Sequence, residues 1–305
     1  MTRGDLAMHH STDQQAILTA DQKQFWQDNG YLRLEQVFTP EEVQSQSDEL
    51  ERMMQEWGAM GQGWRGPWRK AIMEADEADQ AKALILAGLQ NYSATYLQAV
   101  VNPTLTGAVS ELLGGTTVEF HHSVLHAKAP GLGTPFPMHQ DWPFYPHWGP
   151  GCVAAIMHID TSNENNGCLS FLPGSHKGGP LQHVLHTVED HGEYEQPYLP
   201  LDEYPLESAV LCPADAGDVV FFNVNTVHGS APNRTDGWRR LIRVVYRDPE
   251  NPALLPQHTH WTGPTHNRSK SKPSEDPRGM IVHGKYHRPE TTPIPSDPIL
   301  GQTPN

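Results

Sequence analysis

Cysteine is scarce. Cys152, Cys168 and Cys212 are an odd set without CxxC spacing, so neither a disulfide framework nor a structural zinc site is expected. They read as reduced, mostly buried small apolar residues of an intracellular chain. Long apolar runs are also missing. No stretch approaches the roughly 18 residues of a membrane-spanning helix, and the opening Met1-Thr2-Arg3-Gly4-Asp5 lacks the apolar core of a signal peptide. A cytoplasmic location is the expectation. Positive charge is in short supply: 21 Lys and Arg stand against 36 Asp and Glu, for a net charge of −15. Nucleic acid and anionic membrane both need a cationic face, so neither is expected as a partner. A small-molecule substrate is expected, handled by a monomer or homodimer.

What is present is a helical opening followed by short strands. Residues 1–18 are polar and read as a flexible lead. Thr19-Ala20-Asp21-Gln22 starts a helix that stops at Asn29-Gly30, and Tyr31 to Leu34 reads as a strand. Thr39-Pro40-Glu41-Glu42 has the capping residue, first-turn proline and acidic residues of a second helix, running to about Trp57. Residues 70–114 are Ala- and Leu-rich and read as two helices, the second from Pro103 to Leu113. From 116 the pattern becomes strands, at Val118–Lys128, Val153–Asp160, Gly167–Leu172, Val219–Asn223 and Arg239–Tyr246, divided by Gly/Pro turns. Residues 180–208, with His183, His186 and His191, read as a surface excursion. The fold class is mainly β with N-terminal helices: a double-stranded β-helix, or jelly roll, buttressed by α-helices. One domain is expected over 19–290, with its core at about 116–248 and a mobile tail at 291–305.

The chemistry gathers at Pro137-Met138-His139-Gln140-Asp141. On a strand, His139 and Asp141 point from the same face and place an imidazole beside a carboxylate. A second imidazole comes from His228, which follows the apolar run Val219–Phe222. Two His and one carboxylate on one face of a metal leave the opposite positions open, as non-haem Fe(II) requires to hold a chelating co-substrate and dioxygen. The same donors also suit a zinc hydrolase, and a lone His-x-Asp is as readily a surface turn. Eleven residues past His228, Arg239 opens an alternating strand, where a permanently charged guanidinium can grip a carboxylate with two hydrogen bonds.

These residues resemble the phytanoyl-CoA dioxygenase family of Fe(II)/2-oxoglutarate oxygenases, to which ectoine hydroxylase belongs. The resemblance extends to Asn165-Asn166-Gly167-Cys168-Leu169-Ser170-Phe171-Leu172-Pro173-Gly174-Ser175-His176-Lys177 and to Asn29-Gly30-Tyr31-Leu32-Arg33-Leu34, and spans about residues 20–250. It implies a jelly-roll dioxygenase with Fe(II) on His139, Asp141 and His228, and 2-oxoglutarate and O2 as co-substrates. Ascorbate is an optional stimulant. Arg239 and Ser230 would hold the distal carboxylate of 2-oxoglutarate; His126 and Lys128, on a strand that borders the co-substrate in the family, are further candidates for its carboxylates, and equally readable as an ordinary exposed strand face. The halogenases of the wider group carry a small residue where this chain has Asp141. The acidic balance keeps the family's CoA-thioester substrate from being carried over. The reaction expected is hydroxylation of an unactivated C–H of a small or medium organic molecule, with release of succinate and CO2. Desaturation, epoxidation, cyclisation or epimerisation by the same cofactors are the alternatives, and a non-catalytic binding barrel is a weaker one.

Trp142, Phe144, Tyr145 and Trp148, directly after the metal pair, are the pocket candidates, with Trp64 and Trp68 from a Trp-rich loop. They are equally readable as packing aromatics, and suggest a substrate of apolar or cationic character. His258, His260, His266, His283 and His287 are numerous but lack ligand spacing.

Overall fold

The computed structural model describes residues 16–59, 64–65, 68–115, 117–188, 194–251, 254 and 280–284. The lead before 16 and the expected tail at 291–305 lie outside the described residues. Packing begins before Thr19: Leu18 is buried, and the Ile17 and Leu18 N–H groups donate to the Glu111 carboxylate at 2.7 and 3.2 Å.

Helix α1 (Ala20–Asn29) starts with a capping box between Thr19 and Gln22 and ends at Gly30, whose φ of 78° lies in the left-handed region. Any Cβ at Gly30 would meet His176 Nδ1 at 2.3 Å. Strand β1 (Tyr31–Leu34) follows. Helix α2 (Pro40–Ala59) opens on a second reciprocal cap, the Thr39 N–H donating to Glu42 Oε2 at 2.8 Å and the Glu42 N–H to Thr39 Oγ1 at 3.2 Å. Then come β2 (Trp64–Arg65), α3 (Arg69–Ile72), α4 (Ala75–Gln80), β3 (Ala83–Ala87), α5 (Ala94–Val100) and α6 (Pro103–Leu112).

The expected pair of helices over 70–114 fails at β3. Ala83-Leu84-Ile85-Leu86-Ala87 has helix-forming composition, yet it pairs antiparallel with the strand Val118–Lys128 and buries Ala83, Leu84 and Leu86. Ladder pairing and burial override intrinsic propensity there.

The strands that follow are β4 (Val118–Lys128), β5 (Phe136–His139), β6 (Cys152–His158), β7 (Leu169–Phe171), β8 (Val184–Val188), β9 (Tyr194–Tyr198), β10 (Val210–Cys212), β11 (Val219–Asn223), β12 (His228–Ser230), β13 (Arg239–Arg247) and β14 (Met280–His283). The larger sheet runs β1-β11-β6-β13-β4-β3-β2, with β14 also on β4; the smaller runs β10-β7-β12-β5; β8 and β9 form a separate hairpin. The jelly roll expected from the strand pattern is present.

The period of two in β13 sorts its side chains between two cores. Ile242, Val244 and Tyr246 join Leu50, Met53, Tyr96, Leu105 and Val109 under the helices. Leu241 and Val245 face the other way, joining Ile156, Phe222 and Phe171 between the sheets. Arg239 and Arg243 share that inner face by parity. All three cysteines are free and buried. Among the described residues no helix is long and apolar enough to cross a membrane.

Candidate metal centre

The smaller sheet brings the two imidazoles together. His228 on β12 is the register partner of His139 on β5, and their ring centroids are 4.3 Å apart. Asp141 arrives differently from the sequence expectation. It lies past the end of β5, immediately before a 3-10 turn at Trp142–Phe144, so the turn rather than strand alternation aims its carboxylate. Asp141 Oδ1 stands 3.8 Å from His139 Nε2 and 3.8 Å from His228 Nε2. One ligand atom from each residue lies within 4.8 Å of the others.

The rest of each side chain is tied down. His139 Nδ1 donates to the Pro137 carbonyl at 2.7 Å and His228 Nδ1 to the Thr226 carbonyl at 3.0 Å, which leaves each Nε2 lone pair facing the centre. Burial pushes both imidazoles below their ordinary range and keeps them neutral. Burial alone would raise the Asp141 carboxyl, but the Arg243 guanidinium and the two imidazoles hold it below the usual carboxylate range. Arg243 Nη1 donates to Asp141 Oδ1 at 2.8 Å, and the Tyr145 hydroxyl donates to Oδ2 at 2.5 Å. Two neutral imidazole nitrogens and one anionic oxygen fit Fe(II).

Gln140, between the two ligands, pins three segments. Its backbone N–H donates to His183 Nε2 at 3.0 Å, its side-chain amide to the Gly179 and Asn225 carbonyls, and its Oε1 accepts from the Leu181 N–H. His183 is therefore buried, not part of a surface excursion. The sequence shows only a glutamine between the two ligands; its complete burial is visible in the fold alone.

The larger sheet supplies cations. Arg239 pairs with Lys128 across β13 and β4. Lys128 Nζ donates to Ser230 Oγ at 2.7 Å, to the Ser230 carbonyl at 3.3 Å and to the Ala231 carbonyl, so its three donors are used. Gly167 admits this arrangement, since a Cβ there would meet the Ala231 carbonyl at 2.1 Å and Lys128 Nζ at 3.1 Å. Arg239 is only 2% exposed, its Nε has no hydrogen-bond partner, and burial pulls the guanidinium down to about 9. It has no carboxylate partner among the described residues. Arg234, six residues past His228, is exposed and paired with Glu77 at 3.2 Å, so it offers no buried grip for a carboxylate. His126 Nδ1 is likewise buried without a partner.

Of the aromatic candidates, Trp68 and Phe144 stand at the metal ligands, their rings 5.1 and 5.9 Å from that of His139. Trp68 carries a φ of 60°, a strained conformation for a bulky residue. Tyr145 serves Asp141 through its hydroxyl. Trp142 donates to the His147 carbonyl at 3.2 Å and packs on the inner core. Trp148 is half-buried. The Trp64 side chain, and His258, His260, His266 and His287, lie outside what is described; His283 sits on β14, away from the centre.

A family model described as phytanoyl-CoA dioxygenase (PhyH) matches residues 26–241. A probable alpha-ketoglutarate-dependent hypophosphite dioxygenase of Stutzerimonas stutzeri is 28% identical over 237 residues, covering 74% of this chain and 78% of that protein. The peroxisomal phytanoyl-CoA dioxygenase of Rattus norvegicus is 26% identical over 250 residues, 75% of this chain and 68% of that protein. Among solved structures, the non-heme alpha ketoglutarate dependent carbocyclase SnoK from nogalamycin biosynthesis shares the fold with a TM-score of 0.60 at 23% identity, covering 77% of this chain and 86% of that one. The chain belongs to the phytanoyl-CoA dioxygenase family, and it is an Fe(II)- and 2-oxoglutarate-dependent oxygenase.

Proposed function

We propose that His139, Asp141 and His228 hold the Fe(II), and that Arg239, with Ser230, holds the distal carboxylate of 2-oxoglutarate, while Lys128 positions Ser230 through its bond to Oγ. The observation that carries this reading is the buried guanidinium of Arg239, without a carboxylate partner, on the inner face of the larger sheet. A buried charge without a counter-ion is costly, and a ligand carboxylate removes that cost. When bound, iron, 2-oxoglutarate and dioxygen together supply the oxidation, releasing succinate and CO2 and inserting one oxygen atom into a substrate C–H. The chain's own part is positional. The Pro137 and Thr226 carbonyls fix the imidazole tautomers, Tyr145 and Arg243 orient Asp141, and Trp68 and Phe144 wall His139 against water.

The reaction proposed is hydroxylation of an unactivated C–H of a small or medium organic molecule, by a cytoplasmic monomer or homodimer without nucleic-acid or membrane partners. The net charge of −15 supports the last point. Anaerobic titration with Fe(II) and 2-oxoglutarate tests the site through the visible charge-transfer band of the chelate. The band is expected in the wild type and lost in His139→Ala; its absence in metal-loaded, folded protein would sink the assignment.

A further inference from the structure

The charges around the centre do not balance. On the inner face Arg239, Lys128 and Arg243 lie with a single metal-side carboxylate, Asp141. Under the iron and 2-oxoglutarate reading above, the distal carboxylate of the co-substrate answers Arg239. Asp141 must then serve two cations, because the oxygen that accepts from Arg243, Oδ1, is also the one nearest both imidazole Nε2 atoms. A metal there draws on the same oxygen, leaving Arg243 short of a counter-charge.

Arg243 is not otherwise satisfied. Its side chain is 13% exposed, its Nε is buried without a hydrogen-bond partner, and its guanidinium lies 5.8 Å from the Tyr145 ring centroid. An unpaired buried donor on a charged group costs more than a neutral one. Arg243 lies four positions after Arg239, about 13 Å along the strand, so the two guanidiniums are rooted at different points of the inner face. Between their registers, across from Leu241, stands His126. Its Nδ1 has no partner, and its ring is 5.4 Å from that of Phe136. Trp68 contacts both Phe136 and Phe144, with centroids at 5.3 and 6.2 Å, providing an apolar wall on the His139 side.

We propose that Arg243 and His126 form an oxyanion subsite beside the iron, which takes a carboxylate or phosphonate group of the primary substrate. The substrate is then a small organic anion whose apolar body lies toward Trp68 and Phe144, the reverse of the apolar or cationic molecule that the aromatic content and acidic balance suggest. The negative charge of the whole chain does not bear on this, since the interior beside the metal has the opposite sign.

The test is calorimetric titration, under argon, of the enzyme saturated with Fe(II) and 2-oxoglutarate, using benzoate, phenylphosphonate, benzamide and benzylammonium as probes. One of the two oxyanions should bind at least about tenfold tighter than benzamide or benzylammonium, and the better of the two names the group. Arg243→Gln should weaken that oxyanion about tenfold or more without changing benzamide. His126→Leu, the second variant should Arg243→Gln fail to fold, should weaken it roughly threefold to fivefold. Binding of benzoate and phenylphosphonate both no tighter than that of benzamide overturns the proposal, as does unchanged oxyanion binding in both variants. A loss confined to 2-oxoglutarate affinity in Arg243→Gln also overturns it, since the guanidinium would then serve the co-substrate. If the oxyanion binds through Arg243 but the charge-transfer band never forms, the subsite stands and the iron assignment fails.

Discussion

The two sheets that face each other across the centre are built on opposite plans. In the smaller one, each ligating imidazole has its second nitrogen bound to a carbonyl of its own segment, two residues earlier in the chain, so the metal side is organised before anything binds. In the larger one, Arg239 Nε, Arg243 Nε and His126 Nδ1 are buried without partners. Arg239 and His126 have no counterpart among the described residues, and Arg243 has only Asp141, which a metal would share. The difference teaches where stability ends and function begins: the smaller sheet satisfies itself, while the larger one carries an unmet electrostatic demand that a ligand relieves.

The largest effect should come from breaking the self-satisfied side at its one anionic ligand. Asp141→Ala is expected to abolish iron-dependent succinate release, read by metal content and product assay after reconstitution; surviving iron-dependent turnover would show that the ligands have been misassigned. On the demanding side, Arg239→Ala should raise the apparent Kd for 2-oxoglutarate by about a hundredfold, near 3 kcal/mol for charge-assisted hydrogen bonds, measured by the charge-transfer titration. An unchanged Kd would move the anchor elsewhere. Tyr145→Phe removes the hydroxyl on Asp141 Oδ2 and should cost about tenfold in iron affinity, the scale of outer hydrogen bonds to metal ligands.

His158 sharpens the comparison through pH. Burial first, then the nearby Arg239, pushes its imidazole from an ordinary 6.5 to about 4. Because the folded value lies below the unfolded one, the fold favours the neutral ring. This contribution is fully present above about pH 6.5 and is lost as pH falls toward 4. Between pH 8 and 5.5 it amounts to about 1.4 kcal/mol, so urea midpoints of the wild type should fall over that range more than those of His158→Gln. Equal slopes would mean that the buried ring stays accessible to protons. The smallest effect expected is at Thr19→Ala, which removes the α1 cap and should cost about 1 kcal/mol in thermal or urea unfolding.

Much of this arrangement is legible in the residue order, and the failures have physical causes. His139 on its strand, His228 after an apolar run and Arg239 on an alternating strand can be read because local periodicity fixes their faces, and Asp141 because it stands two residues from His139. The caps at Thr19 and Thr39 are equally local. Strand β3 could not be read, because its composition speaks for a helix and only its pairing with β4 decides otherwise. Strand alternation predicts the aim of Asp141, yet a 3-10 turn performs it. Tyr145 reads as a pocket aromatic because composition cannot show where a phenol hydroxyl ends. Arg243 and His183 act through contacts with residues about 102 and 43 positions away, and no window of sequence contains both partners.

The Gly30–His176 contact has a consequence for how this chain can vary. The bend closing the first helix and the Pro173-Gly174-Ser175-His176-Lys177 turn occupy one volume, because the imidazole fills the space where any side chain at position 30 would begin. The two segments therefore form an interlock, closed on its far side by Thr226 Oγ1 at 2.7 Å, so both His176 and Thr226 must yield before Gly30 can grow. Grafting either segment alone from a relative that differs at the other would jam the joint.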